Sequence, residues 1–320
     1  MHMVTGGAGF IGSHIVRALN ERGTSEILVV DDLTRGEKFR NLADCRIADY
    51  LDKRQLFEAL ERERPRLRAI YHQGACTDTL ASDGRYLMEN NFSFSKRLLG
   101  WAQAHGVPFV YASSASIYGK GTRFLPEPEH EQPVNAYGYS KLVFDQHVRA
   151  RLAELEGTVV GLRYFNVYGP REVHKGRMAS MVHHVFRQLR DQGVARLFEG
   201  TDGYDDGEQR RDFVFVEDVV AVNLHFGEGA GRGQRGILNV GAGRSHSFNE
   251  LARLVAERLG SGRIEYIPFP AGLQPCYQSL TEADITGLRA AGYDREMTAL
   301  ADGIERCLAA WAPGLAVSRA

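Results

Sequence analysis

Along the first half of the chain, short apolar runs alternate with longer stretches in which apolar residues recur every three or four positions. The short runs predict strands at His2 to Thr5, Glu26 to Asp31, Cys45 to Ala48, Ala69 to Gln73, Phe109 to Ser113 and Val159 to Phe165. Between them the spacing predicts helices over Ile11 to Arg22, Lys53 to Arg62 and Arg85 to His105. In the last of these, Leu87, Asn91, Phe94, Leu98 and Trp101 fall on one buried face. Strand and helix in this rhythm give a parallel sheet covered by helices on both faces. The rhythm breaks after Gly169. A helix from about Met178 to Asp191 leads to a polar, glycine-broken loop, Glu199 to Arg211, before apolar residues return at Phe213. Two short strands follow, Ile237 to Val240 and Ile264 to Ile267, with helices from about Phe248 and Glu282. A loop that long has little reason to exist in a compact domain unless it binds something.

Composition narrows the partners. The 320 residues suit about two domains. Forty acidic residues nearly cancel 39 basic ones, so no global field draws the chain to nucleic acid or to an anionic membrane. An anionic ligand has to be held locally. Cys45, Cys76, Cys276 and Cys307 are scattered without ligand spacing and read as free thiols of a reducing compartment. No apolar run approaches the roughly 20 residues that span a bilayer, and Met1 leads directly into a strand, so the expected location is the cytoplasm. Asp202, Asp205, Asp206 and Glu208 do not follow a calcium-loop pattern, and no metal site is expected.

The candidate chemistry starts at Gly6, Gly9 and Gly12, spaced GxxGxxG between the first strand and the first helix. The first glycine permits a tight turn, the second lets a pyrophosphate approach the backbone, and the third lets helix and strand pack closely. The helix N-terminus then faces the phosphates. Asp31 stands at the end of the second strand, where an acid bonds a ribose hydroxyl, while Arg35 and Lys38 could meet a 2′-phosphate. NAD and NADP both stay open. The expected fold is therefore α/β: a Rossmann-type doubly wound parallel sheet with a smaller C-terminal α/β substrate-binding domain. The first comprises residues 1–167 plus about 212–240, the second about 168–211 plus 241–320.

Tyr137 and Lys141 form a YxxxK pair that shares one helical face. An ammonium and a positive nicotinamide ring would both lower the phenol's ordinary pKa of about 10. The run Ser113-Ser114-Ala115-Ser116 delivers a hydroxyl to the carboxyl edge of the sheet. Glycine loop, strand-end serine and YxxxK pair, in this order, resemble the extended short-chain dehydrogenase/reductase family. The resemblance implies that Ser114 orients a substrate hydroxyl, Tyr137 exchanges its proton, and Lys141 holds the nicotinamide ribose and tunes Tyr137. Dehydratases of that family carry an acidic pair where this chain has Ala115 and Ser116, so water elimination is disfavoured.

A finer resemblance rests on Arg163 to Gly176, ending in His174-Lys175-Gly176, together with Gly74-Ala75-Cys76-Thr77, Met88-Glu89-Asn90-Asn91, Leu197-Phe198-Glu199-Gly200, Arg211-Asp212-Phe213-Val214 and Leu288 to Tyr293. These segments are similar to those of the ADP-heptose 6-epimerases. That likeness implies epimerisation at C6 of an ADP-heptose for lipopolysaccharide inner-core synthesis, with Lys175 as a second acid/base. It also implies a tightly bound NADP, one per subunit, with NAD still open. The implied cofactor contacts are Gly6, Gly9, Phe10, Ile11, Gly12, Asp31, Asp32, Lys38, Lys53, Gln73, Gly74, Ala75, Cys76, Thr77, Asn90 and Val167, besides Tyr137, Lys141 and Lys175. The implied sugar-nucleotide contacts are Asn166, Arg177, His184, Phe198, Glu199, Gly200, Thr201, Arg211 and Tyr277. Arg211 has the planar fork that suits a diphosphate. The family also suggests a homo-oligomer, a homopentamer among its forms. Arg177 stands where a small serine is expected, and Asp202 to Gln209 lengthens the loop before Arg211. The rival readings are a UDP-hexose 4-epimerase, a plain dehydrogenase and a cofactor-sensing protein on the same fold.

Overall fold

The computed structural model describes residues 1–270 and 272–313. Its strands are β1 (His2–Thr5), β2 (Ile27–Asp31), β3 (Asp49–Asp52), β4 (Ala69–His72), β5 (Phe109–Ser114), β6 (Val159–Tyr164), β7 (Asn166–Tyr168), β8 (Val194–Phe198), β9 (Arg210–Phe215), β10 (Arg235–Val240), β11 (Ser245–Ser247) and β12 (Arg263–Ile267). Seven of them make one sheet in the order β10-β6-β5-β4-β1-β2-β3, with every neighbouring pair parallel. Side chains alternate between its faces. Val4, Val29, Tyr71 and Val110 pack against helices Phe10–Glu21 and Val216–Gly227. Met3, Leu28, Ile70 and Phe109 pack against Leu56–Glu63, Phe94–Ala104 and Ala136–Ala150. Strand order reverses between β1 and β4, and ligands of open α/β sheets bind in the crevice beyond the carboxyl ends at such a point.

A second core lies beside this sheet. Strands β11-β9-β7 form a small sheet, β8 and β12 pair in parallel, and helices Met181–Gln192, Phe248–Leu259 and Leu300–Trp311 bury Phe186, Leu197, Phe215, Leu251 and Ile304 between them. Phe10, the first residue of the helix after the glycine loop, belongs to this second core. β9 joins the small sheet, whereas β10 returns to the main one.

Several predicted elements move. The third strand is Asp49–Asp52 rather than Cys45 to Ala48, because the Asn20 side chain clamps Arg46 through both its backbone N–H (2.7 Å) and its carbonyl (2.8 Å). The helix before β5 is interrupted by a π-helical turn, Met88–Ser93, where Asn91 turns inward to meet other backbone groups. The helix expected from Met178 starts at Met181, capped by Ser180, after a 3-10 turn over Val173–Met178. No helix starts at Glu282, whose carboxylate accepts the Ser245 N–H and hydroxyl; the next helix is Thr286–Ala290. Among the described residues no helix is long and apolar enough to cross a membrane. Cys45, Cys76 and Cys307 are free thiols; the Cys276 side chain lies outside the described residues.

Candidate functional site

The glycine loop is a cradle that only glycine permits. Gly6 has φ +64°, and a Cβ there would stand 2.7 Å from the Gly74 nitrogen; one on Gly12 would stand 2.1 Å from the Gly6 carbonyl oxygen. Gly9 caps the helix without a side chain, which leaves the first helical N–H groups facing the crevice beside Phe10 and Ile11. This geometry fits a dinucleotide pyrophosphate. Asp31 is committed to the protein: Oδ2 accepts the Ala8 N–H (2.7 Å), and Oδ1 accepts the Asp32 N–H (2.6 Å) and the Lys38 ammonium. Lys53 joins Asp32 and Asn90, each at 3.0 Å. Past β4, Gln73 bonds Asn223 and Tyr164, and Gly74 donates to the Thr5 hydroxyl. Ala75, Cys76 and Thr77 continue along the same edge, with Cys76 fixed at both N–H and carbonyl by Asn91.

Strand β5 explains the two serines before the YxxxK helix. Alternation turns Ser113 inward, where its hydroxyl donates to Asp145 at 2.8 Å, and turns Ser114 to the crevice. There the Tyr137 phenol faces the Ser114 hydroxyl, which offsets part of the effect of its burial. Asn135 caps the helix by accepting the Gly138 N–H, and a Cβ on Gly138 would lie 2.8 Å from the Ser116 carbonyl oxygen. This close approach sets Tyr137 against the strand end. Burial pushes the phenol above its usual pKa, so without further positive charge it is a proton donor. Lys141 is buried and donates to the Ala112 carbonyl at 2.8 Å; burial pulls its ammonium down to about 8, although Asp145 opposes the shift. Ala115 and Ser116 bring no carboxyl group to Ser114; the Ser116 hydroxyl lies 2.9 Å from that of Ser114.

Lys175 lies in the 3-10 turn over the glycine helix, its Nζ 5.0 Å from the centre of the Phe10 ring. Burial lowers its ammonium and Glu172 partly restores it. Asn166, at the start of β7, is exposed and accepts the Thr281 hydroxyl, and Val167 follows it in that strand. Arg177 pairs with Asp78 at 2.7 Å, and His184 lies 3.3 Å from the Arg177 carbonyl.

The loop from Glu199 to Arg211 is folded onto the second core. Asp206 accepts the Gly200 N–H, Asp202 accepts the Ser279 hydroxyl and pairs with Lys120, and Glu208 accepts from Asn249. These carboxylates hold the loop rather than gather around a point. The loop and β9 thereby bring Phe198, Thr201, Arg211 and Tyr277 into one neighbourhood, where Phe269 lies 5.1 Å from Phe198 and 4.9 Å from Tyr277. The Arg211 guanidinium lies between the Tyr277 ring (4.8 Å) and the Phe248 ring (5.4 Å) and donates to the Arg210 carbonyl at 2.9 Å. Arg211 is 7% exposed and, among the described residues, has no carboxylate within 4 Å. Burial lowers its pKa. A buried cation without an acid is costly unless an anion joins it, and its planar fork suits phosphate.

Sequence reasoning missed the residues that brace these groups. Asp145, fully buried four residues after Lys141, accepts from Tyr111, Ser113 and Arg163. Asn41 links the glycine loop to His174, and Glu172 anchors the turn that carries Lys175. Asn91 and Asp145 had a signal, since each is a polar residue on an otherwise apolar helical face.

The NAD dependent epimerase/dehydratase family model matches residues 2–241. A protein of Alkalilimnicola ehrlichii named ADP-L-glycero-D-manno-heptose-6-epimerase is 54% identical over 320 residues, with 99% of each chain covered. The solved ADP-L-glycero-D-manno-heptose-6-epimerase of Helicobacter pylori is 31% identical with a TM-score of 0.83, covering 96% of this chain and 94% of that one. UDP-glucose 4-epimerase of Thermus thermophilus, solved with NAD, is 29% identical with a TM-score of 0.79 over 97% and 98% of the two chains.

Proposed function

The chain belongs to the NAD-dependent epimerase/dehydratase family, and from that premise we propose that it inverts C6 of ADP-D-glycero-D-manno-heptose, giving ADP-L-glycero-D-manno-heptose for lipopolysaccharide inner-core synthesis. The observation that carries this reading is the 54% identity over 99% of both chains with a relative of that name. Residues 1–167 with about 212–240 supply the nicotinamide half and the rest of the described chain the sugar-nucleotide half, with strands β7 and β9 crossing into the small sheet beside the second core. The enzyme acts in the cytoplasm as a homo-oligomer, of which a homopentamer is the form the family suggests.

The glycine cradle, Lys38 and Lys141 would hold the nicotinamide cofactor, with Asp31 bracing the cradle and Lys38 from within the protein; when bound, the cofactor supplies the acceptor and donor of hydride. NADP is the favoured form. Asp31 already receives two N–H groups and an ammonium, so it has little left to offer a ribose hydroxyl, whereas Lys38 can turn to a 2′-phosphate. Arg211 and its aromatic neighbours hold the diphosphate end of the sugar nucleotide. Ser114 orients the C6 hydroxyl. At that oxygen, one of Tyr137 and Lys175 takes the proton as the ketone forms. Carbon 6 lies outside the sugar ring, so turning about one bond presents the other face, and the second residue then returns a proton to the inverted oxygen.

The deciding experiment incubates the protein with ADP-D-glycero-D-manno-heptose and follows the epimer ratio. An approach to equilibrium without net change in free NADP supports the reading. Net consumption of dinucleotide, or turnover of UDP-galactose in place of the ADP-heptose, rejects it. Arg211→Gln is expected to raise KM about 30-fold or more with a smaller change in kcat, as loss of charge-assisted bonds to phosphate implies. An unchanged KM would remove Arg211 from the diphosphate site.

Lys141 gives a pH dependence. Its ammonium is lost as pH rises through about 8, so dinucleotide affinity should fall between pH 7 and pH 9.5. Stability moves the other way. The folded pKa lies below the ordinary value of about 10.5, so across that window the unfolded chain binds more protons and this group favours folding as pH rises. Weaker binding at high pH is therefore not explained by unfolding at this residue. Lys141→Ala, titrated with NADP at both pH values, should abolish the difference.

A further inference from the structure

The segment from Gly169 to Met178 crosses the dinucleotide crevice from one side to the other. On the β2 side, Asn41 donates from one amide nitrogen to the Ala8 carbonyl in the glycine loop (3.0 Å) and to His174 (3.1 Å). Burial holds His174 at a pKa of about 4, so its ring is neutral at pH 7 and accepts that bond. Arg171 donates to the Asn41 carbonyl, pairs with Asp44 and reaches the Cys45 sulfur at 3.6 Å. Over β1, His14 of the glycine helix meets the Pro170 carbonyl at 3.0 Å, and Lys175 covers Phe10. On the β4 side, Arg177 pairs with Asp78, and the Thr79 hydroxyl lies 3.7 Å from the Met178 sulfur. Because β1 lies between β2 and β4, the segment bridges the mouth where a helix N-terminus meets phosphate.

The span is held at its root as well. Glu172 is fully buried and receives the Gly169 N–H together with the Ser180 N–H and hydroxyl. Arg171 has φ +67°, a left-handed conformation costly for a residue with a side chain, which persists only where surrounding contacts over-determine it. Its contacts to Asn41 and Asp44 do that.

We infer that residues 169–178 form a strap closed over the bound cofactor, and that Asn41, Arg171 and the Arg177–Asp78 pair are positioning residues that retain the cofactor through both halves of the reaction. This rests on the epimerase reading. Hydride taken from the sugar must return to the same sugar, so a cofactor that escaped midway would strand the ketone. The strap also carries Lys175, which ties that ammonium's position to closure over the cradle. The two ends differ in strength. The Arg177–Asp78 pair is exposed and holds weakly, whereas the Asn41–Arg171 end is partly buried and charge-assisted.

The test reads cofactor release without any sugar. Protein loaded with NADPH is mixed with excess NADP, and the loss of bound-NADPH fluorescence gives the release rate for wild type, Arg171→Ala, Arg177→Ser and the double variant. Arg171→Ala is expected to release at least about tenfold faster, the scale set by losing charge-assisted hydrogen bonds. Arg177→Ser should change the rate by less than about threefold, as an exposed pair allows. The double variant should be fastest. If Arg171→Ala does not fold, Asp44→Asn with Asn41→Ser opens the same end. Release at the wild-type rate from folded variants of the β2 end overturns the strap while leaving the epimerase reading standing. A wild-type protein that binds no dinucleotide overturns both.

Discussion

Tyr137→Phe is expected to lower epimerisation by about 10²–10⁴-fold, the range of general acid/base catalysis, while NADP stays bound. The expectation follows from where the phenol stands. It is half-buried and faces Ser114 at the end of β5, on a helix whose start is pressed onto the turn after that strand. Phenylalanine preserves the ring and removes only the exchangeable proton. Burial alone raises the phenol's pKa, so Tyr137 needs the positive charge of Lys141 and the cofactor to act as a base near neutral pH. Activity of Tyr137→Phe, restored to the protein with saturating NADP, should therefore remain low at every pH between 6 and 10. Cofactor retention, read by dinucleotide content after gel filtration, should match the wild type. Full epimerisation by this variant would remove Tyr137 from the chemistry.

What the sequence made legible was what local spacing dictates. The glycine loop shows itself because Gly6 and Gly12 meet backbone atoms that exclude a Cβ, a constraint written at fixed intervals in the chain. The YxxxK pair is legible for the same reason, since helical pitch alone sets both side chains on one face. Edge elements were not. The third strand slid from Cys45–Ala48 to Asp49–Asp52, because the Asn20 side chain, more than twenty residues away, captures Arg46. The helix expected at Glu282 is replaced by extended chain tied to Ser245 and Asp212 from other strands. The bracing residues escaped similarly. Asn41 and Arg171 lie far apart in sequence, and nothing in either segment's periodicity reveals that they meet over the glycine loop. For the polar loop from Glu199 to Arg211, the sequence marked the segment but not its architecture: its acids fold the loop, and their placement presents Arg211.

Lys175 carries the other large prediction, and the choice of substitution decides what it means. Lys175→Met is expected to lower epimerisation by about 10²–10⁴-fold. A methionine there removes a charge as well as a proton, so the loss alone would not separate an acid/base from a cation that merely pairs with phosphate. Lys175→Arg makes the separation. Arginine keeps the positive charge but holds its proton beyond pH 12, so it cannot exchange one with a sugar oxygen near neutrality. Burial lowers the lysine ammonium from its ordinary pKa, which makes it a readier proton donor near pH 7 than an exposed lysine, while the nearby Glu172 keeps part of the charge in place. If Lys175 returns or takes the proton, the arginine variant should be nearly as impaired as the methionine variant, in kcat more than in KM. If Lys175 only binds phosphate, the arginine variant should retain most of kcat, and the second acid/base would have to be sought elsewhere on the strap. Its position over Phe10 makes dinucleotide release a necessary companion measurement. A variant that loses kcat while retaining NADPH at the wild-type rate has lost chemistry, whereas one that loses both has opened the strap.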